Sequence, residues 1–250
     1  WKDIGPQYVR GITEWGGDAP TIAKFEKEMS AMWLIYSINK EDIWISRVAL
    51  PIAPDNSESV HDTFDNVPIG PRVPGWHTYA PIWTKVQIAR DSNPAQTNQY
   101  LELVDCAPID YARAIRTFQP GNAMDVAFRV AAAQTDHGRL EIDLMNTHDG
   151  RPVQIVLNNQ GKLEVSDGGH MEQVSDYHSD TWMQFELKVN DGKFTLLCDG
   201  KVVAKNAAFA ESGANVYAIS LRTGEYRGTV SGKAETDLKH TEIPTAAAVY

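Results

Sequence analysis

The stretch "TWMQFELKVNDGKFTLLCDGKVV", Thr181 to Val203, decides the fold. Phe185, Leu187 and Val189 alternate with Gln184, Glu186 and Lys188, the period of two of a strand with one apolar and one polar face. "NDGK" and "CDGK" interrupt the run with turn-forming residues, and Asp199-Gly200 suits the positive φ of a tight two-residue hairpin. The stretch reads as consecutive antiparallel strands, a meander.

The same pattern extends on both sides. "TKVQIA", "YLELVD", "YARAIRTF", "AMDVAFRVAAAQ", "GRLEIDLM", "PVQIVLN", "KLEVS" and "NVYAISLRT" are short strand-like runs, several separated by turn signals such as "HDGR" and "NNQGK". No convincing helix interrupts them. Short strands with turns at such spacing predict an all-β antiparallel sandwich or barrel. The closing "PTAAAVY" starts a further strand and leaves it incomplete. Upstream, "WLIYSI" and "DIWISRVAL" flank "NKE" as a hairpin, while "TIAKFEKEMSAM" reads as a short helix or a decorated loop. Between the hairpin and the meander, "PIAPDNSESVHD" has the composition of a linker. The boundary is therefore expected there, with residues 1–52 before it, 53–62 as linker and 63–250 as the sandwich.

A net charge of −10 argues against nucleic acid and against an anionic membrane surface as partners, without excluding local basic pockets. No run reaches the roughly 20 apolar residues of a membrane span. The N-terminal "WKDIGPQYVRG" has neither an initiating Met nor signal-peptide architecture, so the chain is expected to be an internal or processed piece. Cys106 and Cys198 make no disulfide framework; two half-buried thiols are expected, with a disulfide as the alternative.

Glu141 and Asp143 in "GRLEIDLMN" share one strand face, opposite Leu140, Ile142 and Leu144. Paired carboxylates are the apparatus of glycoside hydrolysis. The spacing resembles the E-x-D-x-x-E strand of laminarinase- and lichenase-type endoglucanases, but Asn146 stands where the third carboxylate belongs. The expectation is a solvated or sugar-facing strand surface. His137, His148, His170 and His178 are placed in turns and lack zinc-ligand spacing. No cofactor is implied. "SDGGHME" and "NTHDG" carry oxygen ligands suited to a structural calcium ion but match no calcium-loop pattern, and turn chemistry explains them. Nucleophile-elbow and P-loop motifs are absent. Trp76, Tyr79 and Trp83 in "VPGWHTYAPIW" are either core aromatics or platforms for sugar rings. Arg113 alternates with Tyr111 and Ile115 and either joins an ion pair with an Asp or clamps the carboxylate of an acidic sugar.

Two segments carry a family resemblance. "MWLIYSINKEDIWISRVALPI" resembles the closing part of a sialidase-like (BNR-type) β-propeller of bacterial secreted carbohydrate-active enzymes. "FDNVPIGPRVPGW", "DYARAIRTF", "GRLEIDL", the opening meander and "ISLRTGEYRG" resemble the concanavalin-like, jelly-roll sandwich that follows such propellers. No strict Asp-box occurs, and one hairpin is far short of the four to eight blades of a propeller. The resemblance implies residues 1–52 as an incomplete propeller blade remnant, whose remainder is in the same protein or another chain. It implies a secreted, periplasmic or cell-surface glycoside hydrolase or polysaccharide lyase acting on an oligo- or polysaccharide, with catalysis mostly on the propeller. From this chain only the "YSINKED" turn then reaches a catalytic site. Lys40 or Tyr36 would serve as base or acid in elimination, Glu41 or Asp42 in hydrolysis, with Asn39 in substrate binding. The alternative is a non-catalytic, lectin-like carbohydrate-binding module using Trp76, Tyr79, Trp83 and Arg113.

Overall fold

The structure is a computed structural model and describes residues 6–13, 31–38, 42–49, 59–90, 98–108, 110–147, 150–211, 215–224 and 246–250. The chain divides into two compact units, Trp1–Asp55 and Asn56–Tyr250. The first holds β1 (Pro6–Thr13), β2 (Ala31–Ile38) and β3 (Asp42–Ala49) in a three-stranded antiparallel sheet ordered β1-β2-β3. Ile35 lies opposite Ile45 and Ser37 opposite Ile43, so Trp33, Ile35, Ile43 and Ile45 share one face, all exposed. The "NKE" turn and most of "TIAKFEKEMSAM" lie outside the described residues.

The second unit begins with β4 (Trp76–Tyr79), β5 (Thr84–Arg90), β6 (Gln99–Asp105), β7 (Arg113–Gly121) and β8 (Ala123–Val130). It continues through β9 (Leu140–Asn146), β10 (Val153–Leu157), β11 (Lys162–Asp167), β12 (His170–Asp176) and β13 (Met183–Asn190). The last strands are β14 (Lys193–Cys198), β15 (Lys201–Ala208), β16 (Val216–Thr223) and β17 (Ala248–Val249). A seven-stranded sheet runs β12-β11-β10-β9-β16-β7-β4. Against it pack a four-stranded sheet, β15-β14-β13-β8, and a three-stranded one, β17-β6-β5. Every strand pair is antiparallel. The result is an all-β, jelly-roll-type sandwich.

Alternation places the core. Phe185, Leu187 and Val189 of β13 pack with Phe194 and Leu196 of β14, Leu140, Ile142 and Leu144 of β9, and Val153 and Ile155 of β10 in one buried cluster. The opening meander folds as read, with both turns in the left-handed region: Asp191 and Gly192 have φ of 43° and 78°, Asp199 and Gly200 of 49° and 76°. Three strands escaped the sequence reading, β1 of the first unit and two of the second. "WHTY" forms β4 within a Pro- and Gly-rich segment, and His170, expected in a turn, opens β12. In β12 the first four residues are all exposed, so no apolar alternation announces it. Cys106 and Cys198 are both free.

Candidate functional site

The face of the seven-stranded sheet that points away from the core carries charge. Directly opposed residues across β4, β7, β16 and β9 are Tyr79, Arg113, Arg222 and Glu141. The next row is His77, Ile115, Ser220 and Asp143, continued by Gln154 on β10. These rows follow from strand parity: each lies between the inward rows that supply Ala114, Ile142, Leu144 and Ile155 to the core.

The acidic pair is not solvated, and the sequence expectation is corrected here. Glu141 and Asp143 are 3% and 2% exposed. Arg151, delivered by the loop before β10, donates from Nη2 to Glu141 Oε2 at 2.7 Å and to Asp143 Oδ2, and from Nε to Asp143 Oδ2 at 2.8 Å. Arg139 Nε donates to Glu141 Oε1 at 3.1 Å, and Arg222 Nη1 stands 4.0 Å from Glu141 Oε2. Burial pushes the Asp143 carboxyl up to about 6, even against the pull of Arg151. Burial likewise opposes the charge on Arg151, but Asp143 and Glu141 outweigh it and hold its pKa above the ordinary range. A general acid or nucleophile has to reach substrate. Carboxylates this buried and this committed to arginine act as structural anchors. Asn146, where a third carboxylate would stand, accepts from the Gly150 amide at 2.8 Å and closes the loop that brings Arg151 in.

Arg113 forms no ion pair with an Asp among the described residues; aromatic rings flank it instead. Its guanidinium carbon lies 6.0 Å from the Tyr79 ring centre and 5.9 Å from that of Tyr111. The two rings are 5.2 Å apart, tilted at 45°. Arg222 lies closer still, 4.2 Å from the Tyr111 ring. Asp110 fixes the tyrosines, accepting from the Tyr79 hydroxyl at 3.1 Å and from the Tyr111 amide at 3.0 Å. Arg113 Nε is buried with no hydrogen-bond partner among the described residues. Three arginines, 139, 151 and 222, thus gather against the carboxylates of Glu141 and Asp143, and Arg113 stands opposite Arg222 in the same row; with Asp110 counted, four arginines face three carboxylates, an excess of positive charge in an acidic chain.

The other sequence candidates do not join this cluster. Trp76 and Tyr79 are three residues apart on one strand and so point to opposite faces. Trp76 packs on the core side, 6.1 Å from Phe64, and its Nε1 donates to Asp62 Oδ2 at 3.0 Å, where Arg116 also binds. Trp83 sits in the turn before β5 with φ of 68°. The three aromatics therefore form no common platform. In the first unit the Tyr36 hydroxyl hydrogen-bonds to the Ser46 hydroxyl at 2.8 Å. Asn39, Lys40 and Glu41, and the side chain of Asp42, lie outside the described residues. Among the described residues no group of three or more His, Cys, Asp and Glu side chains is arranged to hold a metal ion. Sequence reasoning missed Arg151, Arg139 and Arg222. The available signal was Arg222 inside the otherwise apolar run "VYAISLRT", since a charge in a buried strand needs a partner.

A solved sialidase superposes on the chain with a TM-score of 0.74 at 28% identity, covering 99% of this chain and 22% of its own. The chain thus spans less than a quarter of that protein's length. The carbohydrate-binding module CBM66 from Bacillus subtilis also matches, at TM-score 0.38 and 8% identity over 60% of this chain and 90% of its own. Sheep galectin-11 in complex with glycerol matches at TM-score 0.35 and 12% identity, over 44% and 88% respectively. No curated protein sequence matches. The family model described as "Sialidase-like, CBM domain" matches residues 76–238, more than half of the chain, and the chain belongs to that family.

Proposed function

We propose that the sandwich is a glycan-binding module of a larger, secreted carbohydrate-active enzyme, and that sugar docks on the face carrying Tyr79, Tyr111 and Arg113. The observation that carries this reading is the Arg113 guanidinium grouped with two part-exposed tyrosine rings, 6.0 Å from the Tyr79 ring centre and 5.9 Å from that of Tyr111, on a face rich in arginine. Tyrosine rings suit the apolar C–H faces of sugars. A planar guanidinium suits the carboxylate of a uronic or sialic-type sugar. Membership of a family described as a CBM domain supports the same class of ligand.

The parent enzyme is a glycoside hydrolase or a polysaccharide lyase whose catalytic groups lie mostly on a sialidase-like propeller. Residues 1–52 close that propeller, 53–62 link it to the sandwich, and 63–250 are the sandwich. A sheet exposing Trp33, Ile35, Ile43 and Ile45 on one face suits packing against a neighbouring blade. In that enzyme the tip formed by Asn39, Lys40, Glu41 and Asp42, beside Tyr36, faces the reacting sugar. Trp76 and Trp83 add sugar contacts only outside the Tyr79–Arg113 face.

Titration calorimetry of the full chain against neutral and carboxylated oligosaccharides tests the binding. Saturable binding is expected. Arg113→Gln is expected to weaken it by about 10- to 100-fold, the worth of one hydrogen-bonded charge. Failure to bind any plant, algal or host glycan would overturn the reading.

A further inference from the structure

The layer opposite the seven-stranded sheet is split. Between β6 and β8 runs a cleft of about 910 Å³, whose floor is the inner face of the large sheet, with Phe118, Leu140, Ile219 and Leu221. β17 closes one end. Tyr250 exchanges both backbone bonds with Leu103, at 2.8 and 3.0 Å, and the Ala133 amide donates to the Val249 carbonyl at 2.9 Å. On the β6 side the 59–65 segment adds to the wall, and the Gln99 side chain donates to the Asp65 carbonyl at 3.0 Å.

The β8 wall is different. β8 pairs only with β13. Asn122 and Ala132 turn their carbonyls to the β13 side, accepting from Asp191 and Asp180, whereas Ala133 turns its amide to the cleft side. Even-numbered residues of β8 therefore bond to β13, and the amides and carbonyls of Ala123, Asp125, Ala127 and Arg129 face the cleft. These groups have no sheet partner among the described residues. The side chains of Met124, Val126, Phe128 and Val130 turn inward. From Ala123 to Val130 the wall is thus a row of hydrogen-bonding groups about 24 Å long beside an apolar floor. Just beyond Val130 stands Trp182, 41% exposed, with the Arg129 guanidinium 5.3 Å from its ring centre and Tyr100 of the β6 wall 5.7 Å away, edge-on at 70°.

This lining selects its ligand. A pyranose ring has apolar C–H faces and a rim of hydroxyls. Laid flat, it sets a face on Phe118 and Leu221 and its hydroxyls against the β8 backbone. A wholly apolar ligand would leave that row of amides and carbonyls unpaired. A peptide strand would find no ladder on the far wall, where Tyr250 already takes Leu103 and Asp65 takes Gln99. The charged groups of the lining, Asp62, Asp65, Asp125, Arg116 and Arg129, give no cationic excess, and Asp62 already holds Arg116 at 2.9 Å. We infer that the cleft is a second sugar site, taking a neutral, linear oligosaccharide along β8, with its ring at the β17 end stacked on Trp182. Only the class of ligand, sugar, rests on the glycan-binding reading above and on the family's description as a CBM domain.

Cellohexaose, xylohexaose, mannohexaose and laminarihexaose, titrated into the full chain by calorimetry and amide NMR, test it. At least one is expected to bind and to move the amides of Asp125, Ala127 and Arg129. Trp182→Ala, at an exposed ring, is expected to weaken that binding about tenfold. Ala127→Pro removes one cleft-facing amide and no bond to β13, a position where an edge strand accepts proline; it is expected to weaken binding about threefold or more. No affinity for any of the four sugars, or unchanged affinity in both variants, would overturn the inference. So would displacement of the bound hexasaccharide by a uronate oligosaccharide, which would assign it to the Arg113 face. Binding of the uronate alone, with the β8 amides unmoved, would leave the Arg113 reading standing and overturn this one. Binding of a neutral sugar along β8 with none of the uronate would do the reverse.

Discussion

Asp143 shows how much a single strand position can conceal. Its spacing from Glu141 is that of a catalytic pair, and its parity assigns it correctly to the polar face. What strand parity omits is that Arg151 covers that face, leaving Asp143 2% exposed with its Oδ1 unpartnered among the described residues. The energetic consequence has a definite sign. The native carboxyl titrates at about 6, above the roughly 3.9 of an unfolded Asp. Between about pH 4 and 6 the native state holds a proton that the unfolded chain has released. This group's contribution to stability is therefore greatest below pH 4 and declines as pH rises to 6, by about 3 kcal/mol in all. Carbon-detected titration of Asp143 should give a midpoint near 6, and in urea melts Asp143→Asn should lose less stability, or gain more, than the parent chain as pH rises from 4 to 6. A midpoint near 4 would mean that Arg151 outweighs burial.

Among the elements, the meander was the most legible, because Phe185, Leu187 and Val189 alternate cleanly and Asp-Gly pairs mark the turns. β12 was illegible for the opposite reason: exposed on both faces at its start, it has no apolar period. The closing strand was legible as an apolar run in "PTAAAVY", but its seat beside β6 was not. β17 crosses beside Gly138, whose φ is +72° and where an added Cβ would stand 2.5 Å from the Ala248 Cβ and 2.7 Å from the Tyr250 hydroxyl. Gly138→Ala should therefore cost about 1–3 kcal/mol and loosen the C-terminal strand. Thermal melts and faster exchange of the Leu103 amide would register both effects. An unchanged Leu103 amide would mean that β17 does not depend on this close approach.

At the scale of the molecule, the second unit has a buried cluster of its own, which runs from Val73 to Tyr250 and, among the described residues, holds none from the first unit. Residues 56–250 alone should then melt within a few degrees of the full chain's sandwich transition and keep any glycan affinity; a collapse of either would show that the first unit is needed. The sequence by itself determined the β class, the core faces and the hairpins, because alternation and turn chemistry are local properties written residue by residue. It offered Trp76, Tyr79, Trp83 and Arg113 as candidates without telling which of them meet. Only the tertiary structure decided what each polar residue does. Tyr79, Arg113, Arg222 and Glu141 come from four strands far apart in the chain and meet only through sheet order. Trp76, three residues from Tyr79, is sent to the opposite face by the same pleat. Burial and charge pairing are sums over such distant neighbours, which is why a carboxylate pair that reads as exposed along the strand is, in the folded sheet, an anchor for three arginines.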